Sequence, residues 1–278
     1  MTPRTALTIA GSDSGGGAGI EADLRTFAAH KVHGTVALSA ITAQNTLGVT
    51  AVLAVEAEMV LAQVEAVLSD ITVDATKAGM LARPHTIEAV GLLASQGRLP
   101  HLVVHPVLVS SSGHSLMESG GVEAYRQSLI PFAEVLTPNL REAALLLDHN
   151  VNDFDHLEAM ADAGNALRAL GATWVVIKGG HFLEGGATSS GAPDLVVGPT
   201  GVHVLDGERV ATRNDHGTGC SLSSSIAANL ATGTDVPTAI SSAKVFVAQA
   251  LRGAADWNLG SGHGPIDHLN WSKTPNTP

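Results

Sequence analysis

The segment His216-Gly217-Thr218-Gly219-Cys220 runs directly into Ser221-Leu222-Ser223-Ser224-Ser225-Ile226-Ala227-Ala228-Asn229-Leu230, an uninterrupted stretch of small, helix-compatible residues. A helix start carries unpaired backbone N–H groups and a partial positive charge, and glycines let the backbone come close to an anion. The pattern reads as a phosphate or oxyanion hole formed by Gly217, Thr218 and Gly219. An isolated G-x-G fits a tight capped turn as well, so the loop needs partners before it means chemistry. Cys220 falls in the first helical turn. There the helix dipole favours thiolate and offers a base or nucleophile, while a small buried hydrophobe is the other role open to it.

A second glycine cluster, Gly11-Ser12-Asp13-Ser14-Gly15-Gly16-Gly17-Ala18-Gly19, follows a strand-like run and leads into Ile20-Glu21-Ala22-Asp23. It looks like a dinucleotide fingerprint, but no G-x-G-x-x-G register fits, which counts against an NAD(P)-dependent oxidoreductase. Its glycines still permit close approach to a ligand. Asp23 either points back toward that ligand or is a solvated first-turn carboxylate. Lys178 ends the apolar run Trp174-Val175-Val176-Ile177. Ligands of open α/β sheets collect at that strand edge, where a lysine can meet a phosphoryl group or simply snorkel outward. In Thr137-Pro138-Asn139-Leu140-Arg141-Glu142, Asn139 and Glu142 have the spacing of a capping box. A carboxylate there can also hold Mg²⁺ through water.

These residues must be positioned by an alternating frame. Short β-branched runs at Ala6–Ala10, Thr35–Ile41, Ala75–Gly79, Leu102–His105, Glu134–Thr137 and Trp174–Lys178 read as strands. Alanine- and leucine-rich segments at about 20–30, 56–69, 84–96, 139–147, 156–170, 219–231 and 236–258 read as helices. Pro84 at a helix entry, and Gly97, Gly171 and Gly233 after helix ends, follow the usual asymmetry. The alternation predicts an α/β layered fold with a largely parallel sheet, in one unit over 1–260. The Gly/Ser-rich stretch Gly185–Pro193 predicts a loop, and residues 261–278, with three prolines, predict a weakly ordered tail.

Composition narrows the partners. The chain has 278 residues, 45% hydrophobic and only 15% charged, with a formal net charge of −11. That is enough chain for a substantial core, and the charge argues against nucleic acid or an anionic membrane, which need basic surface. A bound nucleotide must then be held locally. The single cysteine excludes an internal disulfide and suits a reducing compartment. The 13 histidines are dispersed, without a zinc-type pair. No signal-peptide pattern or bilayer-length apolar stretch appears, so a cytoplasmic protein is expected.

Together the ordered motifs resemble the ribokinase-like superfamily, and within it the hydroxymethylpyrimidine/phosphomethylpyrimidine kinases of thiamine biosynthesis. The resemblance runs from about Ala6 to Leu251 and rests on Ala10-Gly11-Ser12-Asp13-Ser14-Gly15-Gly16-Gly17-Ala18-Gly19-Ile20-Glu21-Ala22-Asp23, Ala43-Gln44-Asn45-Thr46-Leu47-Gly48-Val49, Lys77-Ala78-Gly79-Met80-Leu81, Pro106-Val107-Leu108-Val109, Thr137-Pro138-Asn139-Leu140-Arg141-Glu142-Ala143, Lys178-Gly179-Gly180-His181 and His216 to Cys220. It implies a three-layer α/β/α sandwich and a kinase that uses ATP and Mg²⁺. Gly11, Asp23, Gln44, Met80 and Val107 would line a pyrimidine pocket, Asp23 and Gln44 facing the aminopyrimidine edge and Met80 supplying an apolar face. Gly217 to Cys220 would form the anion hole, with Cys220 nearest the attacking hydroxyl. Lys178, Asn139, Lys244, Gly217 and Gly219 would contact ATP, and Glu142 would belong to the metal region. A homodimer is implied as well. The family pattern has aspartate before Pro-Val, whereas this chain has His105 before Pro106-Val107. A neutral imidazole does not bind hard Mg²⁺ as a carboxylate does. The sequence also puts Asp215 where threonine is common. The readings that compete with the pyrimidine kinase are a pyridoxal kinase, which uses the same loop cysteine, and a weakened relative that only binds its pyrimidine.

Overall fold

The computed structural model describes residues 2–108, 117–154, 156–179 and 191–273. Nine strands form one sheet: β1 (Thr5–Gly11), β2 (His33–Asn45), β3 (Gly48–Ala54), β4 (Ala75–Ala78), β5 (Leu102–Val104), β6 (Val135–Leu136), β7 (Trp174–Ile177), β8 (Asp194–Gly198) and β9 (Gly201–Leu205). Their spatial order is β3-β2-β1-β4-β5-β6-β7-β8-β9. The central strands from β2 to β7 pair in parallel, and β3, β8 and β9 close the two edges antiparallel. The helices are α1 (Gly19–Ala29), α2 (Ala57–Leu68), α3 (Pro84–Ser95), α4 (Gly121–Ala124), α5 (Leu140–Leu147), α6 (Leu157–Ala169), α7 (Thr218–Ala231) and α8 (Val236–Gly253).

The inner strands β1, β4, β5, β6 and β7 are buried throughout, as the centre of a parallel sheet requires. Their alternating residues separate into two cores. Leu7, Ile9, Val104, Val175 and Ile177 point into the layer with Val60, Val64, Ile87, Val90, Leu146 and Met160 of α2, α3, α5 and α6. Ala6, Val103, Trp174 and Val176 point the other way, to Phe27 of α1 and to Leu222, Ile226 and Ile240 of α7 and α8. The period of two along each strand therefore builds the three-layer α/β/α sandwich expected from the sequence.

Several expectations change. The strand foreseen at Thr35–Ile41 extends over His33–Asn45 and turns back as β3. The β8–β9 hairpin had not been foreseen, and α8 ends at Gly253 rather than near Asn258. The segment expected as a loose tail packs through Lys273: Ile266, Asp267 and His268 are buried. Asp267 accepts from the N–H groups of Trp271 and Ser272, and so caps the turn that follows. Of the loop expected at Gly185–Pro193, residues 185–190 lie outside the described residues, as do Gly180, His181, Val109 to His114 and 274–278.

Candidate active site

The start of α7 is where both ends of the chain meet. Gly217 adopts φ +85, and a Cβ there would collide with the carbonyl oxygen of Gly17. Only glycine allows this loop to lie so close to the N-terminal one. At Gly219 a Cβ would stand 2.9 Å from His105 Cε1 and 3.1 Å from Lys178 Nζ. The small-residue loop thus leaves room at a helix N-terminus directly facing a cation.

A connection absent from the sequence reading fixes the two loops to each other. His216 Nε2 lies 2.8 Å from Asp13 Oδ2. Asp13 also accepts from the backbone N–H of Gly15, Gly17 and Ala18 at 2.8 to 3.0 Å, so one carboxylate organises the whole glycine turn. Burial acts to raise the Asp13 carboxyl, but the bond to His216, its charge and the backbone donors outweigh it and hold the group below the ordinary range. Gln44, at the end of β2, brings its amide to 3.1 Å from the same His216 nitrogen. The C-terminal segment crosses over this arrangement: His216 N–H donates to Gly264 O, His263 N–H to Thr46 O and Gly262 N–H to Thr46 Oγ1.

Lys178 follows β7 and reaches His105, which follows β5. Lys178 Nζ donates to His105 Nε2 at 2.8 Å and lies 3.6 Å from Glu142 Oε2. Burial, then the charges of Lys178 and Lys77, push His105 well below its ordinary value, so it is a neutral acceptor. Its Nδ1 is buried and has no hydrogen-bond partner among the described residues. Asn139 and Glu142 form the expected capping box at α5, with mutual bonds of 2.7 and 2.8 Å. Burial raises the Glu142 carboxyl against the opposing pull of Lys178 and the Asn139 N–H. Lys244 is not in this group. It is tied to Asp194 at 2.7 Å and to Ala192 O, and is linked to the Lys178 region only because Asp194 accepts the Gly179 N–H.

Met80 packs with Ala40, Ala82 and Val107, and a Cβ on Gly11 would touch Met80 Sδ and Ala40. Asp23 is placed differently from a ligand-facing carboxylate. It is fully buried, with Oδ2 accepting from Thr8 Oγ1 (2.6 Å) and Lys77 Nζ (2.7 Å) and Oδ1 from Ser224 Oγ (2.5 Å). An aminopyrimidine edge would compete with those donors. Cys220 is half-buried at the expected place, but burial pushes its thiol up, so desolvation outweighs the dipole that the sequence reading relied on. For a divalent cation this region offers one carboxylate, Glu142, and no cluster of three ligating side chains exists among the described residues. His105 has its Nε2 occupied by Lys178. The donors suit a Mg²⁺ that keeps its waters and takes phosphate oxygens, not an all-protein cage.

A mostly parallel sandwich with a glycine-loop helix start and a lysine converging at the strand edge defines a small-molecule kinase. The family model for phosphomethylpyrimidine kinase matches residues 13–267. The hydroxymethylpyrimidine/phosphomethylpyrimidine kinase of Rhizobium meliloti strain 1021 is 46% identical over 271 residues, covering 96% of this chain and 98% of the relative. The phosphomethylpyrimidine kinase structure from Clostridium difficile 630 superposes with TM-score 0.77 at 36% identity, covering 89% of this chain and 99% of that one. The pyridoxal kinase of Staphylococcus aureus in complex with AMP-PCP and pyridoxal superposes with TM-score 0.86 at 32% identity, covering 98% and 96%. The chain belongs to the phosphomethylpyrimidine kinase family.

Proposed function

We propose that the chain transfers the γ-phosphoryl group of ATP to the hydroxymethyl oxygen of 4-amino-5-hydroxymethyl-2-methylpyrimidine, and then to its monophosphate, supplying the diphosphate for thiamine biosynthesis. The observation that carries this reading is the convergence of Lys178 Nζ and the Gly217–Cys220 helix start at one point beside Gly219. In that space the N–H groups of α7 and the ammonium of Lys178 would hold the transferring phosphoryl oxygens. Gly11, Met80 and Val107 would pack on the pyrimidine ring, with Gln44, held by His216, at its polar edge. Asp23 would act from beneath, through Lys77. Cys220 would lie nearest the attacking oxygen. As the new O–P bond forms, the bond from the γ-phosphorus to the ADP oxygen breaks and, in the first transfer, the hydroxyl proton passes to an oxygen of the transferred phosphoryl group; positioning with charge neutralisation supplies the rate. Asn139 and Lys244 would border the nucleotide. Glu142 would hold Mg²⁺ through water, and the ion, when bound, would neutralise phosphate charge.

Purified protein incubated with ATP, Mg²⁺ and the hydroxymethylpyrimidine is expected to give mono- and diphosphate products. No product under any metal condition rejects the reading. The pyridoxal-bound structure among its neighbours favours testing pyridoxal beside the pyrimidine. The ratio of the two kcat/KM values then assigns the substrate. The protein is proposed to work in the cytoplasm as a homodimer, consistent with the absence, among the described residues, of any helix long and apolar enough to cross a membrane. Sedimentation gives the oligomeric state.

A further inference from the structure

The proposed reaction gives no task to one buried group of the site, the imidazole of His105. It stands at the end of β5, its backbone N–H donating to Ala78 O and its carbonyl accepting from the Val107 N–H, both at 2.9 Å. Lys178 starts from an equally fixed backbone, its N–H donating to Pro138 O at 2.9 Å. From these two strand ends the side chains meet, with Lys178 Nζ 2.8 Å from His105 Nε2. The pair faces the start of α7: a Cβ at Gly219 would stand 2.9 Å from His105 Cε1, 3.0 Å from its Nε2 and 3.1 Å from Lys178 Nζ. Glu142 lies farther off, 3.8 Å from Nε2 and 3.6 Å from Nζ, and its Oε2 already accepts the Asn139 N–H at 2.7 Å.

The atoms at this contact decide its direction. An ammonium has three donors and no acceptor, so Nε2 must offer its lone pair. A ring that accepts at Nε2 is neutral and carries its proton at Nδ1, because an imidazolium has only donors. The Nδ1–H is then turned into the interior, where it has no hydrogen-bond partner among the described residues. Such a donor costs stability that an apolar side chain of the same size would not. We infer that His105 is a positioning residue of the transfer: its Nε2 lone pair takes one N–H of Lys178 and fixes the ammonium beside Gly219, leaving the other N–H bonds for phosphoryl oxygens. A carboxylate touching Nζ would hold it as firmly but offset its charge, whereas the imidazole orients the lysine as a neutral acceptor. The inference rests on the kinase reading and deepens it by naming what aims the lysine.

The first test reads the pair by NMR without substrate or turnover. With nitrogen-15-labelled histidine, the ring signals missing from His105→Gln identify His105, and the wild type is expected to show the Nδ1–H tautomer with a bare Nε2. That Nε2 resonance is expected to move in Lys178→Met, which removes its donor. An Nε2–H tautomer, or a resonance indifferent to Lys178→Met, overturns the inference. The second test separates orientation from bulk. His105→Met fills similar space without an acceptor and is expected to keep the urea midpoint, while kcat/KM for ATP falls roughly 10- to 100-fold, as for a reacting group misplaced by about 1 Å. The pyrimidine KM stays unchanged. His105→Gln, whose Oε1 can stand at the place of Nε2, is expected to recover most of that loss, and His105→Asn, whose oxygen reaches only the place of Nδ1, to recover little. Equal rates in the Gln and Met variants overturn the inference. A wild type with the Nδ1–H signal but no phosphorylated product would instead reject the kinase reading and leave the pairing standing.

Discussion

Lys77 of β4 and Lys178 after β7 both connect to α7, Lys178 beside Gly219 and Lys77 through Asp23 to Ser224, yet their neighbours differ in kind. Lys77 has the buried Asp23 carboxyl group at 2.7 Å and no solvent, whereas Lys178 has a neutral imidazole at 2.8 Å, a raised carboxyl at 3.6 Å and 14% of its side chain exposed. The first charge is neutralised by a fixed partner and cannot leave. The second has a neutral acceptor as its nearest partner and a carboxyl only at 3.6 Å, which leaves it more available to an incoming anion. A buried lysine with a full counter-ion serves its surroundings, and one held by a neutral acceptor serves a ligand.

This contrast can be broken at either end. Removing Lys77 alone, as Lys77→Met, strands Asp23 in the interior and is expected to cost about 3–5 kcal/mol of stability, read as a fall in the urea midpoint. Lys178→Met is expected to leave the urea midpoint nearly unchanged while kcat/KM falls by roughly 10²- to 10³-fold, the size of losing one preorganised donor to a transition-state oxyanion. Equal stability losses at the two sites would abolish the distinction. Asp13→Asn probes the latch between the loops, with an expected loss of about 1–2 kcal/mol at neutral pH. Because the folded Asp13 carboxyl lies below its ordinary 3.8, its contribution is present above that value and is lost as pH falls through the lowered one. The wild-type and Asp13→Asn urea midpoints are therefore expected to converge on the acid side. His105→Asp sharpens the comparison most gently, because it gives Lys178 the kind of partner Lys77 has. It adds a hard ligand beside Glu142, so the half-saturating Mg²⁺ concentration is expected to fall severalfold. A large gain in turnover in that variant would mark the wild type as a weakened kinase, and unchanged, already normal turnover would dispose of that reading.

The central strands were legible because each is a short β-branched run bounded by turn residues, and the helices because their apolar faces repeat at helical spacing. The hairpin of β2 and β3 was missed because β3 is mostly exposed and its Gly-Val-Thr-Ala-Val-Leu-Ala pattern has no buried stripe to announce it. The β8–β9 hairpin did carry a signal, two Val-rich runs around Pro199-Thr200, which the alternating α/β reading passed over. At the site, Gly217, Gly219, Lys178 and the Asn139–Glu142 cap were readable from local spacing. His216 to Asp13 and Ser224 to Asp23 were not, since those partners stand 203 and 201 residues apart. The close approach of Gly217 to the Gly17 carbonyl was likewise hidden, because it joins two loops far apart in sequence. Asp23 was read as a ligand contact because nothing near it in sequence shows that Lys77, 54 residues on, takes its carboxylate.

The crossing segment at Gly262–Pro265 sets an order on synthesis. Its backbone holds Thr46, at the β2–β3 turn, and His216, in the phosphate loop. A ribosome delivers β1 and its glycine turn first, and the turn's partner His216 follows 203 residues after Asp13, with the strap over it later still. A nascent chain can therefore pair its early strands as it is translated, but the loop from His216 to Gly219 can be strapped onto the N-terminal glycine turn only after residue 265 has left the exit tunnel.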